Sequence, residues 1–119
     1  MRYLCLIYHD ETAWSNLPKD EAERTMAEYR ALREETTQSG RFLDGNRLHL
    51  ADSATVVRVR NGKLMTTDGP FAETKEQLGG YFLFEARDLN EAIQLASRIP
   101  GARTGCVEVR PVAEPQAMA

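Results

Sequence analysis

The sequence predicts an α+β domain in which two βαβ halves share one antiparallel sheet, both helices lie on one face, and a β-hairpin is inserted between the halves. Three observations lead to it. Residues 3–8 and 81–84 are apolar at successive positions, as in strands covered on both sides. Two longer segments repeat apolar residues at helical spacing, with start and stop signals at their ends. Between them Asn61-Gly62 joins two runs rich in strand-forming residues, a strong short-range hairpin signal. The order β, α, β, hairpin, β, α, β is that of a ferredoxin-like fold.

Each element has its own justification. Residues 3–8 put Tyr3, Cys5 and Ile7 on one side and Leu4, Leu6 and Tyr8 on the other, which suits a central strand. A polar loop follows, with His9-Asp10-Glu11 read as a solvated run. Pro18 suits a first helical position, Asp20, Glu21 and Glu23 suit the positive helix start, and Ala22, Met26, Tyr29 and Leu32 or Arg33 form the stripe. Gly40 can take the left-handed cap that ends this helix. Residues 42–50 read as a strand interrupted by Gly45-Asn46. Residues 55–60 alternate Val57 and Val59 with Arg58 and Arg60, and residues 63–67 return antiparallel to them. The next strand, residues 80–86, is entered through Gly79-Gly80, which signals a bulge or close backbone approach with room for a ligand or a partner's backbone. Asp88 and Glu91 form a capping-box pattern, Leu89, Ala92, Ile93, Ala96 and Ile99 make the second helical stripe, and Pro100-Gly101 stops it. Residues 105–110 alternate Val107 and Val109 with Cys106, Glu108 and Arg110, giving a final half-buried strand.

Two helices on one side leave the other sheet face bare, yet residues 3–8 and 80–86 are apolar on both sides. That face requires a partner. A chain of 119 residues fits a single domain, here residues 1–113, with a disordered tail expected from Glu114 onward. Its 18 acidic and 15 basic residues are interspersed and sum to −3, which argues against the concentrated basic face that nucleic acid requires. The apolar start meets His9-Asp10-Glu11 too soon for a signal peptide or a membrane span, so a cytoplasmic protein is expected. Cys5 and Cys106 lack metal-binding spacing and read as buried core residues.

Chemistry-bearing residues concentrate in Asp68-Gly69-Pro70-Phe71-Ala72-Glu73-Thr74-Lys75-Glu76-Gln77-Leu78-Gly79-Gly80-Tyr81, which sets three carboxylates and a lysine among turn formers between two strands. Asp68 is mounted at a strand end before a stiff Gly-Pro, as a positioned acid or base would be. The same place suits an Asp that caps the turn by accepting backbone amides. Glu73 and Lys75 could form a loop-stiffening ion pair. Alternatively Lys75 holds a substrate carboxylate or enolate oxygen, with Glu73 tuning its charge. Phe71 and Trp14 are aromatics expected over a pocket mouth or a dimer rim. His49 is a stronger candidate base than His9, since it follows Arg47 by two positions and would share its strand face, presenting a cation and a base to one pocket. Neither histidine has metal-ligand spacing and no phosphate loop occurs, so neither metal nor organic cofactor is expected.

The signature closely resembles that of the DGPFAETKE family, a branch of the YCII-like proteins, and the likeness runs from Tyr3-Leu4-Cys5-Leu6-Ile7-Tyr8 to Val107-Glu108-Val109-Arg110-Pro111. It implies that two sheets pair face to face in a dimeric α+β barrel, and that Asp68, which opens the signature, belongs to a pocket. Some YCII-like relatives carry a His-Asp dyad with its His from the first helix region, and one of that wider group eliminates chloride from a chlorinated aromatic diol. No histidine stands between Pro18 and Gly40 here, so that dyad does not transfer residue for residue. The expected protein is a cytoplasmic homodimer that carries out proton transfer or elimination on a small organic acid or phenol. Asp68 and His49 are its catalytic residues, and Arg47, Phe71, Glu73 and Lys75 bind substrate. The alternative is a non-catalytic ligand-binding or regulatory module, a role that the frequent coding of such relatives beside sigma factors would suit.

Overall fold

A computed structural model describes residues 1–115. In chain order it contains β1 (Arg2–His9), α1 (Glu11–Ser15), α2 (Lys19–Gln38), β2 (Phe42–Arg47), β3 (Thr55–Arg60), β4 (Lys63–Asp68), β5 (Gln77–Glu85), α3 (Leu89–Ser97), α4 (Gly101–Thr104) and β6 (Cys106–Pro111), with a 3-10 turn at Ala51–Ser53. Four strands form one sheet in the order β2-β5-β1-β6. All its pairings are antiparallel, and Cys5 lies between Phe82 and Val109 on the two neighbours of β1. This is the ferredoxin-like arrangement that the element order predicts.

The core lies between this sheet and its helices. Tyr3, Cys5, Ile7, Phe82 and Phe84 face it from the strands, and Leu32, Ala92, Leu95, Ala96 and Ile99 meet them. Phe82 and Phe84 stack with ring centroids 5.3 Å apart, Tyr29 stacks on Phe82 at 6.3 Å, and Phe42 meets Phe82 edge-on at 6.0 Å. Each such ring contributes about 1.5–3 kcal/mol through burial. Burial also pushes the Cys5 thiol up to about 11, which makes it an inert core residue. The buried Thr36 hydroxyl donates to the Leu32 carbonyl at 2.7 Å, so no polar group is stranded there.

Glu91 links the edge of the sheet to α3. It accepts from Arg41 through both carboxylate oxygens, at 3.2 and 3.1 Å, and pairs with Arg87 at 2.9 Å. The Arg41 hydrogen bonds hold the Glu91 carboxyl below its usual range. Asp88 caps α3 by accepting from the Glu91 amide at 2.9 Å. Glu91 does not return the bond to Asp88, because its carboxylate is turned to the arginines and the Arg87 amide. Only half of the expected capping box therefore forms.

Several expectations are corrected by packing. The polar loop after β1 contains α1, whose first turn is capped by Asp10 accepting from Thr12 and Ala13 amides at 3.0 and 3.4 Å. In α3 the stripe is rotated: Leu95 is buried while Leu89 and Ile93 face outward. Pro100-Gly101 opens α4, and the Gly101 amide donates to the Tyr29 hydroxyl at 3.1 Å. Cys106 is exposed, because on β6 the valines take the helix side. Of the tail expected from Glu114, Glu114 itself lies 3.7 Å from Arg2, and residues 116–119 fall outside the described residues.

The hairpin stands apart. β3 and β4 pair from Thr55↔Asp68 to Arg60↔Lys63, and positive φ at Asn61 (52°) and Gly62 (75°) makes the turn the type that matches strand twist. They form a separate two-stranded sheet, and every residue of β4 is exposed. The radius of gyration is 16.4 Å, against about 13.5 Å for a compact chain of this length. β3 and β4 thus act as an arm.

Candidate functional site

The site is built where the sheet loses its regularity. Ile7 pairs with Gly80 but Tyr8 pairs with Leu78, so Gly79 is the extra residue of a β-bulge. A Cβ on Gly79 would lie 2.2 Å from His9 Nε2, and one on Gly80 would lie 2.9 Å from the Asn46 carbonyl oxygen. The space left by the paired glycines is therefore filled by an imidazole and by the neighbouring strand, not by a ligand. The bulge also ends β2: the Leu48 amide donates to the Gly79 carbonyl at 2.9 Å, and the chain then leaves the sheet. The strand expected over residues 42–50 accordingly stops at Arg47.

Three further contacts fix this corner. His9 meets Trp14 of α1 edge-on at 6.3 Å. The Arg47 guanidinium lies 5.3 Å from the centre of the Trp14 ring, in cation–π range. Glu11 accepts from the Ala51 amide at 2.8 Å, tying α1 to the turn beyond β2. Beside this corner Arg47, Leu48, His49 and Leu50 line a half-open cavity of ≈ 310 Å³. That volume is at the small end of ligand sites. Among the described residues Arg47 makes no ion pair, so its charge is available to an anion.

Arg47 and His49 thus line one pocket, Arg47 from the last position of β2 and His49 from the loop beyond it, not from one strand face. The remaining candidates lie elsewhere. Asp68 ends β4, is exposed, and makes no side-chain hydrogen bond among the described residues. Phe71 is 83% exposed, with the Arg58 guanidinium 6.0 Å from its ring centre. Glu73 and Lys75 are exposed and form no ion pair with each other. The loop is held by its own polar groups: the Thr74 hydroxyl donates to the Glu76 carbonyl at 2.5 Å, and the Gln77 amide group to the Thr74 carbonyl at 2.8 Å. No cluster of three or more His, Cys, Asp or Glu placed to hold a metal occurs among the described residues, and no helix there is long and apolar enough to cross a membrane.

The corner formed by His9, Trp14 and Gly79 escapes sequence reasoning. Its readable signals are the Asp10 cap with Trp14 four positions on, and the glycine pair. What joins them is the register slip between β1 and β5, which no local pattern specifies.

The helix-free sheet face carries Leu4, Leu6, Tyr8, Tyr81 and Leu83, all half-buried. A polar rim surrounds them. The Tyr81 hydroxyl donates to Asp44 at 2.8 Å and accepts from Asn46 at 2.9 Å, and the Tyr8 hydroxyl donates to Glu108 at 3.4 Å. Partial desolvation, followed by the Glu108 charge, pushes the Tyr8 phenol up. Cys106 sits at this rim with its Sγ 3.8 Å from Glu76, and desolvation and that carboxylate push its thiol up. It is a poor nucleophile.

Residues 1–116 match the family described as the YCII-related domain. The chain is also similar to an uncharacterised protein of Rhizobium meliloti (strain 1021), with 38% identity over 115 residues, 95% of this chain and 93% of that protein.

Proposed function

The chain belongs to the YCII-related domain family, and from that premise we propose that it binds a small organic anion in the pocket of Arg47, Leu48, His49 and Leu50. The observation that carries the reading is an arginine that makes no ion pair among the described residues and lines a ≈ 310 Å³ cavity with Leu48 and Leu50, its guanidinium 5.3 Å from the Trp14 ring centre. A guanidinium offers paired donors to a carboxylate or phenolate, and the leucines suit the apolar remainder of such a molecule.

Binding is favoured over catalysis because no carboxylate is within hydrogen-bond reach of either imidazole among the described residues. A catalytic base is normally oriented by a third group. A second reading is still favoured by His49 lining the same pocket as Arg47: His49 would take a proton from the bound acid or phenol in a proton transfer or elimination. Asp68 enters that scheme only by moving to the pocket or arriving from another chain.

The assembly in this reading is a cytosolic homodimer that buries Leu4, Leu6 and Leu83 between two helix-free sheet faces. Its support is the apolar centre and polar rim of that face, the usual anatomy of an interface.

The test is a thermal-shift screen of small carboxylates and phenols, followed by titration calorimetry on Arg47→Ala and His49→Gln. Arg47→Ala should weaken any hit at least about tenfold, the lower end of a charged hydrogen bond's worth. Equal affinity in that variant would dismiss the pocket. Hydrogen–deuterium exchange into a bound compound, abolished by His49→Gln, would decide for catalysis.

A further inference from the structure

We infer that α1 sets the ligand class of the pocket: Trp14 holds the Arg47 guanidinium in place, and the paired donors held in this way select a carboxylate over a phenolate. The inference rests on the anion pocket proposed above and names the residue that gives it specificity.

Arg47 has little else to fix it. It is the last residue of β2, it is exposed, and among the described residues its side chain makes no hydrogen bond or ion pair. A long arginine side chain in that situation carries much rotamer freedom, which a ligand has to remove on binding. Trp14 removes part of it beforehand, because the guanidinium lies over the indole ring at 5.3 Å from its centre. The ring attracts the cation through its π cloud and offers no acceptor oxygen, so the N–H donors stay uncommitted.

Trp14 is itself held. Glu11 and Trp14 stand three positions apart on α1 and so share one of its faces. That face contacts the pocket segment twice, at Arg47 through the Trp14 ring and at the Ala51 amide through the Glu11 carboxylate at 2.8 Å. Leu48, His49 and Leu50 lie between the two contacts. Trp14 also meets His9 edge-on at 6.3 Å, and His9 sits in the space where Gly79 has no side chain. The Gly79 carbonyl accepts from the Leu48 amide at 2.9 Å. One bulge residue thus anchors the pocket segment directly and, through His9 and Trp14, the cation that the segment presents.

A restrained guanidinium offers two parallel N–H groups that match the two oxygens of a carboxylate. A phenolate has one oxygen and leaves one of those donors to water. A freely rotating Arg47 attracts either anion by charge but discriminates less, because the gain from the second hydrogen bond is offset by the ordering of the side chain.

Titration calorimetry with benzoate and pentafluorophenolate, both anions at neutral pH and similar in size, tests this. The parent should bind benzoate at least about tenfold more tightly. Trp14→Leu should reduce that preference to within about threefold, and Trp14→Phe, which restores an aromatic face, should recover most of it. The side chain can also be read without any ligand. By NMR relaxation the order parameter of the Arg47 Nε–H bond should exceed about 0.6 in the parent, fall in Trp14→Leu and return in Trp14→Phe. A parent that binds the two anions equally, or a folded Trp14→Leu variant with unchanged preference and order parameter, overturns this inference and leaves the anion pocket standing. A parent that binds neither anion overturns the pocket reading and the inference together. Should Trp14→Leu fail to fold, the parent decides alone, since an Arg47 order parameter below about 0.6 overturns the inference.

Discussion

β1 and β3 illustrate how far an apolar strand pattern can be trusted. In β1 every second residue, Tyr3, Cys5 and Ile7, is buried; in β3 the alternating Val57 and Val59 are largely exposed. The difference lies in what adjoins them. β1 has a strand on each side and a helix layer above, whereas β3 has one neighbour and no layer. Periodicity thus reports which residues share a face, and only tertiary context decides whether that face is covered.

The sharpest way to break this comparison is to truncate one side chain in each region. Phe84→Ala should cost about 3–5 kcal/mol, because a fully buried ring leaves a cavity in the core. Val59→Ala, measured on dilute monomer, should stay within about 0.5 kcal/mol. Urea denaturation reads both, and comparable losses would mean that arm and body share one core. Next in size is Gly62→Val, which forces a β-branched residue to a φ of 75° and costs roughly 1–2 kcal/mol. The loss should appear as faster amide exchange along β3 and β4 while the body's unfolding midpoint stays put. A shifted midpoint would show the arm to be an integral part of the folding unit.

The smallest effect belongs to the body's edge. Glu91 has a depressed pKa in the folded protein, caused first by its Arg41 hydrogen bonds. It therefore contributes stability that is present above its unfolded value and is lost as the pH falls through the folded one. Glu91→Gln should flatten the acid limb of a stability–pH curve measured by denaturation. An unaltered limb would assign that limb to other carboxylates.

The architecture was legible wherever a local rule was sufficient. Asn61-Gly62 specified its turn, Gly40 took the left-handed conformation at φ 76°, and the two-sided apolar run at residues 3–8 became the central β1. Failures arose where burial depends on distant partners. Leu95 displaces Leu89 and Ile93 from the α3 stripe because the sheet lies on its side of the helix, and Cys106 points outward because β6 turns its valines inward. The pocket was half legible. Arg47 and His49 are brought together as their spacing suggests, but by a turn that the Gly79 bulge creates. His9, read as part of a solvated run, is instead packed between Gly79 and Trp14.

The central place of β1 also governs how the chain must acquire its fold. Leu6 pairs with Tyr81 on one side and with Glu108 on the other, so the strand made first is completed by the strand made last. At a synthesis rate of about 5–20 residues per second, β1 waits roughly 5–20 s for its final neighbour. Meanwhile the arm can close through its tight turn in about 1–10 μs. The part of the molecule with no covering layer is thus the quickest to form, while the central strand waits longest for its second neighbour. Until β5 emerges both edges of the future centre strand are open to any other nascent chain, and the edge that β6 will cover stays open longest.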